Sequence, residues 1–223
     1  MRVDLHLHSY ASSQNGDSIK WESTHDSVSR LYKSGVRLAA FSDHNIFDVE
    51  LYLECSKLGE TGGIVFLPAI EVNVVRKNGV IANLIYVFEE NLSIEKLLDI
   101  RRITQLEIPK RGITISKANN IFKDFDVIRI PHVGKSDHFK PEDLLDLKYD
   151  AFEVTNLSHP NYLKTINEGF ETSVVAFSDT HIWKTYPQQK TLITEMELHP
   201  IGYQSLKNKL KEKQIYAKGI IND

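Results

Sequence analysis

One cysteine, Cys55, stands alone in 223 residues, so no intrachain disulfide can form, and a metal site would have to be built from histidine and carboxylates. A chain without disulfides agrees with a reducing, cytoplasmic setting. No apolar run approaches the roughly 18 residues needed to span a bilayer, so no membrane partner is expected. Net charge is only −3, which argues against coating nucleic acid or anionic lipid by bulk electrostatics. Met1 and Arg2 lead straight into the first predicted strand, so no signal peptide is expected. Internal repeats and low-complexity tracts are lacking too. What is present is 41% hydrophobic and 26% charged, a balance that suits one domain with a sizeable core over 1–223.

The most informative stretch is 2–8. Alternation across a β-strand puts Asp4, His6 and His8 on one face and Val3, Leu5 and Leu7 on the other. Two imidazoles one residue apart can converge on a single cation, and neutral imidazole is a common zinc ligand.

A polar loop over 9–17 follows, with Asn15 and Gly16 as its turn signal and Asp17 or Ser18 as the cap of the next helix. Apolar periodicity predicts helices around Leu31, over 48–58, 93–107 and 116–124, after Pro141, around Tyr162 and around Leu206. Strands are predicted over 36–41, 64–74, 81–88, 127–130, 151–154 and 173–177, with an extra one over 191–198. Strands alternating with helices imply right-handed parallel crossovers. Seven short apolar strands fit a closed α/β barrel, whose active site lies at the C-terminal strand ends. Those ends carry His6 and His8, Asp43 and His44, Glu71, His132, Glu153, Asp179 and His181. Only the 81–88 strand ends without a candidate.

Asp4 to His8, Ser42 to His44, Glu71, Pro131 with His132, and Ser178 to His181 together resemble the PHP (polymerase and histidinol phosphatase) family, in its order and spacing. The resemblance implies a distorted seven-stranded (β/α)7 TIM-like barrel. It also implies divalent metal ions (zinc, manganese or iron), between about one and three per chain. Carried over by residue, His6, His8, Glu71 and Asp179 form a first site. Glu71 bridges to a second site with His132, and His44 and His181 hold a third. Asp43 and Glu153 orient ligands from behind, as carboxylates behind metal-bound histidines often do.

Two positions depart from the family pattern. A His or Asp normally follows the opening pair by five or six residues, where this chain has Ser13 and Gln14. A His is also common in the fourth strand, where Asn83 stands. Asp17 either replaces the first loss or caps a helix, and Asn83 either ligates through oxygen or fills the barrel.

The function this implies is metal-dependent hydrolysis of a phosphate ester: a small phosphomonoester or the end of a short oligonucleotide. Cations clamp the phosphate and activate a water, and Glu71, His132, His181 and Asp43 are the candidate catalytic groups. Lys135 and Lys184 are candidates to bind the substrate's phosphate, with a solvated surface as the plainer fate of any lysine. Stable binding of duplex nucleic acid is not expected, because such affinity rests on Lys and Arg neutralising phosphates. Two other readings compete: an amidohydrolase-type metallohydrolase, and a degenerate PHP module serving a partner protein.

Overall fold

The computed structural model describes residues 1–187 and 192–219. In chain order, β1 (Arg2–Leu7) leads into a 3-10 helix (Tyr10–Asn15), α1 (Thr24–Lys33), β2 (Val36–Phe41), α2 (Val49–Gly62), β3 (Val65–Phe66), β4 (Ala69–Val75) and β5 (Ile81–Phe88). Then come α3 (Ile94–Glu107), β6 (Ile113–Thr114), α4 (Ile115–Ala118), β7 (Val127–Gly134), α5 (Pro141–Leu144), β8 (Ala151–Val154), α6 (Pro160–Asn167) and β9 (Ser173–Val175). A second 3-10 helix (Trp183–Thr185), β10 (Leu192–Glu195), α7 (Tyr203–Leu210) and β11 (Ala217–Gly219) follow. Thr191, where the extra strand was expected to begin, lies outside the described residues.

The expected single closed barrel of parallel strands is replaced by two sheets. One has the order β11-β10-β1-β2-β3, and the other β6-β4-β5-β7-β8-β9. Isolated parallel bridges tie the two together, among them His44 with Glu71 and Leu7 with Thr180. At the first seam Glu71 N donates to Asp43 O at 3.2 Å, and Asn45 N to Glu71 O at 2.7 Å. At the second, Asp179 N donates to His6 O at 2.8 Å, and His8 N to Thr180 O at 3.2 Å. Both seams therefore run through candidate site residues.

Pro68 explains part of the break. It splits the expected 64–74 strand in two, so that β3 pairs with β2 in one sheet while β4 pairs with β5 in the other. Proline cannot donate to a ladder, and it suits the point where the chain changes sheets. Direction differs from expectation as well. β5 runs antiparallel to both β4 and β7, because 76–80 is a hairpin connection, too short for a parallel crossover. Asn83 consequently lies near the start of its strand yet at the same end of the fold as Glu71.

Strict alternation along β1 also fails. Its pairing with β2 shifts register between Asp4 and Leu7, and Val3 and Leu5 enter one core cluster while Leu7 enters the other. Asp4 turns away from the histidines, accepting from Ser178 N at 3.1 Å and Tyr186 Oη at 2.9 Å. A second irregularity, between His132 and Gly134, sets two residues of β7 against one step of β8. Such a bulge re-aims the side chains that follow it. Gly134 makes the close approach feasible, since a Cβ there would sit 2.6 Å from Val154 Cγ1.

Asp48 caps α2 and Ser93 caps α3. For α1, however, the cap is Ser23, whose Oγ accepts from Asp26 N at 3.1 Å, so neither Asp17 nor Ser18 serves. One core cluster draws on both sheets (Leu5, Leu38, Ile85, Ile130) and is closed by Tyr203, Leu206 and Leu210 of α7. The other packs the sheets against the helices α1 to α6. Among the described residues, no helix is long and apolar enough to cross a membrane.

Candidate metal centre

The side chains of His6, His8, His44, His132 and His181 gather with Asp17, Glu71, Glu153 and Asp179 along the two seams. Glu71, from β4, is the hub. Its Oε2 lies 3.2 Å from His6 Nε2, 3.4 Å from His8 Nε2 and 3.1 Å from His44 Nε2. Its Oε1 lies 3.2 Å from His132 Nε2 and accepts from Asn83 Nδ2 at 2.6 Å. Asp179 Oδ1 sits 3.2 Å from His8 Nε2 and 3.5 Å from His6 Nε2. The potential ligands fall into three overlapping groups, each with its donor atoms within 4.8 Å of one another: His6, His8 and Glu71; His6, His132 and Glu153; and His8, Asp17, His44 and His181.

Several of these rings are held from behind. His8 Nδ1 lies 3.1 Å from Ser12 Oγ, which in turn donates to Asp43 Oδ1 at 2.8 Å. Asp43 also accepts from Ser9 N and Ser9 Oγ, at 2.7 and 2.6 Å. The chain fixes the His8 proton on Nδ1 and turns Nε2 into the centre. His181 is set similarly, Nδ1 donating to Asp179 O at 3.0 Å. His6 Nδ1 donates to Glu153, 3.1 Å from Oε1 and 3.0 Å from Oε2.

Charge in the metal-free chain follows from these contacts. Burial pushes the His8 imidazole down to about 3 despite the nearby carboxylates, leaving it neutral. Burial works the same way on His6, but Glu153, Glu71 and Asp179 outweigh it and raise its pKa to about 10. Burial would raise the carboxyls of Glu71, Glu153 and Asp179. The surrounding cations hold all three well below the usual range instead, with His6 the largest of them in each case.

The residues fit divalent cations on their own geometry. His6 Nε2 and His8 Nε2 point at each other 3.1 Å apart. His132 Nε2 is 3.1 Å from Glu153 Oε2 and 3.2 Å from Glu71 Oε1, yet neither of its ring nitrogens makes a well-formed hydrogen bond, though both are buried. Asn83 Oδ1 and Asp17 Oδ2 are likewise buried without a hydrogen-bond partner. Buried polar atoms are normally paired, and orphans converging on one cluster suit ions as partners.

The structure thus brings together every histidine singled out in the sequence, with Glu71 and Asp179. Glu153 stands inside the cluster rather than only behind it. Asp17, 3.7 Å from His44 Nε2, stands with the third group, the first of its two expected alternatives, whereas Ser13 and Gln14 are exposed. Asp43 does not reach the centre and acts on His8 through Ser12. Lys135 is buried within the cluster, and Lys184 is exposed on the 183–185 turn. Ser12 escaped the sequence reading: a loop serine has no periodic signature, and its only cue is its position four residues after His8.

No family model matches the chain, and no curated protein matches it by sequence. Solved structures do. A two-domain protein from Bacteroides vulgatus, containing a predicted PHP-like metal-dependent phosphoesterase, matches at 11% identity with a TM-score of 0.59, covering 97% of this chain and 63% of its own. A protein from Bifidobacterium adolescentis, provisionally described as a metal-dependent phosphoesterase, gives a TM-score of 0.54 at 13% identity, over 80% of this chain and 87% of its own. The chain has a PHP-like fold. An amidohydrolase from Chromobacterium violaceum, solved with bound sulfate and no metal, gives 0.57 at 14% identity over 82% of this chain and 88% of its own. At such identities the likeness is one of PHP-like fold, and the roles of individual residues rest on the geometry above.

Proposed function

We propose that this chain is a metal-dependent phosphoesterase acting on a small phosphomonoester or the end of a short oligonucleotide. The observation that carries this reading is Glu71, whose two oxygens face imidazoles of different groups, His6, His8 and His44 on one side and His132 on the other. A carboxylate so placed would hold neighbouring cations if they bind, and paired cations supply Lewis acidity for displacement at phosphorus. His6, His8, Glu71 and Asp179 would hold one ion, Glu71, His132 and Glu153 a second, and His44, His181 and Asp17 a third. Imidazole with carboxylate accommodates zinc, manganese or iron. When bound, the ions supply Lewis acidity toward the phosphate and a nucleophilic water at neutral pH.

The chain's own residues orient the reaction. Asp43, through Ser12, keeps His8 in the ligating tautomer, and Glu153 does the same for His6. Side-chain exposure is 34% for His181 and 19% for His44, against 3% for His132 and 1% for His6. Substrate would therefore enter beside His181 and His44, and the leaving group would depart by the same edge. Lys184 on the neighbouring turn meets the substrate's charge.

The amidohydrolase among the structural neighbours favours a second reading, amide hydrolysis at the same centre. Parallel panels of phosphate esters and amides, assayed with Mn²⁺ or Zn²⁺, separate the two. Turnover confined to small phosphate esters or oligonucleotide ends supports the proposal. Turnover of amides alone, or internal cleavage of long duplex DNA, contradicts it.

A further inference from the structure

Lysine is seldom fully buried, yet Lys135 is 3% exposed. Its Nζ donates to Glu153 Oε1 at 3.2 Å and to Asp179 Oδ2 at 3.0 Å, and lies 3.3 Å from His6 Nδ1. Each of these carboxylates turns its other oxygen toward the candidate ligands. Asp179 Oδ1 faces His8 Nε2 at 3.2 Å, and Glu153 Oε2 faces His132 Nε2 at 3.1 Å. One ammonium thus holds from outside the same two carboxylates that the metal positions use from inside.

The placement is built into the backbone. The β7 bulge precedes Lys135, and the segment around it is pinned on both sides. Asn161 Nδ2, at the start of α6, donates to Val133 O and to Phe139 O, both at 2.8 Å. His138 Nδ1 donates to Lys135 O at 2.8 Å. Lys135 is buried, whereas the side chains of His44 and His181 are partly exposed. A phosphate entering beside those two rings would meet the imidazoles before it met this ammonium.

Resting on the metal-centre reading above, we propose that Lys135 is a resident cation that competes with the metal: it balances Glu153 and Asp179 in the empty centre and weakens the hold of the positions at His6, His8, Glu71 and His132 on divalent ions. Like charges on shared carboxylates in a buried site repel strongly, because little solvent screens them. Uncompensated buried carboxylates destabilise a fold, so the same ammonium lets the metal-free chain stay folded and load reversibly. Among the described residues, the position built on His44, His181 and Asp17 makes no direct hydrogen bond or ion pair with Lys135, so its affinity should respond least to the substitution.

The test compares the wild-type chain with Lys135→Met, both purified with Mn²⁺ and then stripped by chelation. Calorimetric Mn²⁺ titration and elemental analysis of dialysed protein measure binding, and melting temperature is read with chelator and with Mn²⁺. The proposal expects half-saturation of Lys135→Met at a Mn²⁺ concentration at least tenfold lower. It also expects a melting temperature that falls in chelator and recovers in Mn²⁺. If Lys135→Met is unfolded when stripped, refolding on addition of Mn²⁺ supports the proposal, and failure to refold overturns it. Equal Mn²⁺ affinity in the two folded proteins overturns it while leaving the metal centre standing. Absence of Mn²⁺ binding in both removes the metal centre itself, and this inference with it.

Discussion

Ser12 Oγ accepts a hydrogen bond from His8 Nδ1 at 3.1 Å and donates its own to Asp43 Oδ1 at 2.8 Å. A polar loop is thereby coupled to a ligating ring. Ser12→Ala removes the partner that fixes the His8 tautomer while leaving the fold's apolar clusters intact. Loss of such a supporting contact typically costs about 10–100-fold in metal affinity or activity. Mn²⁺ titration of Ser12→Ala, with circular dichroism to verify folding, should show a loss of that size. Wild-type affinity would mean that the ring needs no such support.

The metal positions should fill unequally. The group with His6, His8, Glu71 and Asp179 brings four imidazole or carboxylate donors, whereas the group at His132 finds the amide of Asn83 beside Glu71. A neutral amide is a weaker partner for a transition metal than imidazole. Calorimetry should resolve one tight site and weaker ones that tighten when inorganic phosphate is present. Asn83→His should raise the metal retained per chain after dialysis. Three equivalent tight sites in the ligand-free wild type would contradict this ordering.

Much of this centre is legible in the sequence because strand ends collect functional groups. His6 and His8 stand out through period two, and Asp43 with His44, His132, and Asp179 with His181 close short apolar runs. Strand direction is not carried by periodicity, so the antiparallel course of β5 is missed, although the short 76–80 connection signals it. The bulge at His132 and Gly134 is invisible for the same reason. A regular strand would put residues three apart on opposite faces, yet His132 and Lys135 both point into the cluster. Asp17 reads either as a replacement ligand or as a helix cap, because nothing local distinguishes it from Ser23, which does the capping.

Arg76 and Asp143 form a buried pair at 2.6 Å that ties the β4–β5 hairpin to the start of α5. Arg76→Met leaves the carboxylate with only the backbone donors of Lys140 and Lys77, at 3.0 and 3.3 Å. Breaking a buried pair from one side costs about 3–5 kcal/mol, whereas replacing both partners with apolar groups is often close to neutral. Urea denaturation should therefore find Arg76→Met markedly less stable than Arg76→Met combined with Asp143→Leu. Equal stability of the two variants would show that the pair is not isolated from water.

Metal loading should release protons. In the metal-free chain His6 titrates at about 10 and is protonated at neutral pH, whereas a ligand must offer a free nitrogen. Below that pKa, binding displaces the proton, so apparent affinity rises with pH, by about tenfold per unit for one proton. Mn²⁺ titration in buffers of different ionisation enthalpy counts the protons directly. A pH-independent affinity between pH 6 and about 9 would show that His6 is already neutral in the empty centre.

The central claim is that the clustered imidazoles and carboxylates form the metal centre of a phosphoesterase. The most direct measurement follows phosphate-ester turnover while chelated protein is titrated with Mn²⁺, with bound metal determined on the same samples. Turnover should be absent in the stripped protein and climb in step with bound metal. His8→Ala and Asp179→Ala should remain folded and largely inactive across the titration. Full turnover by the stripped protein would contradict the account.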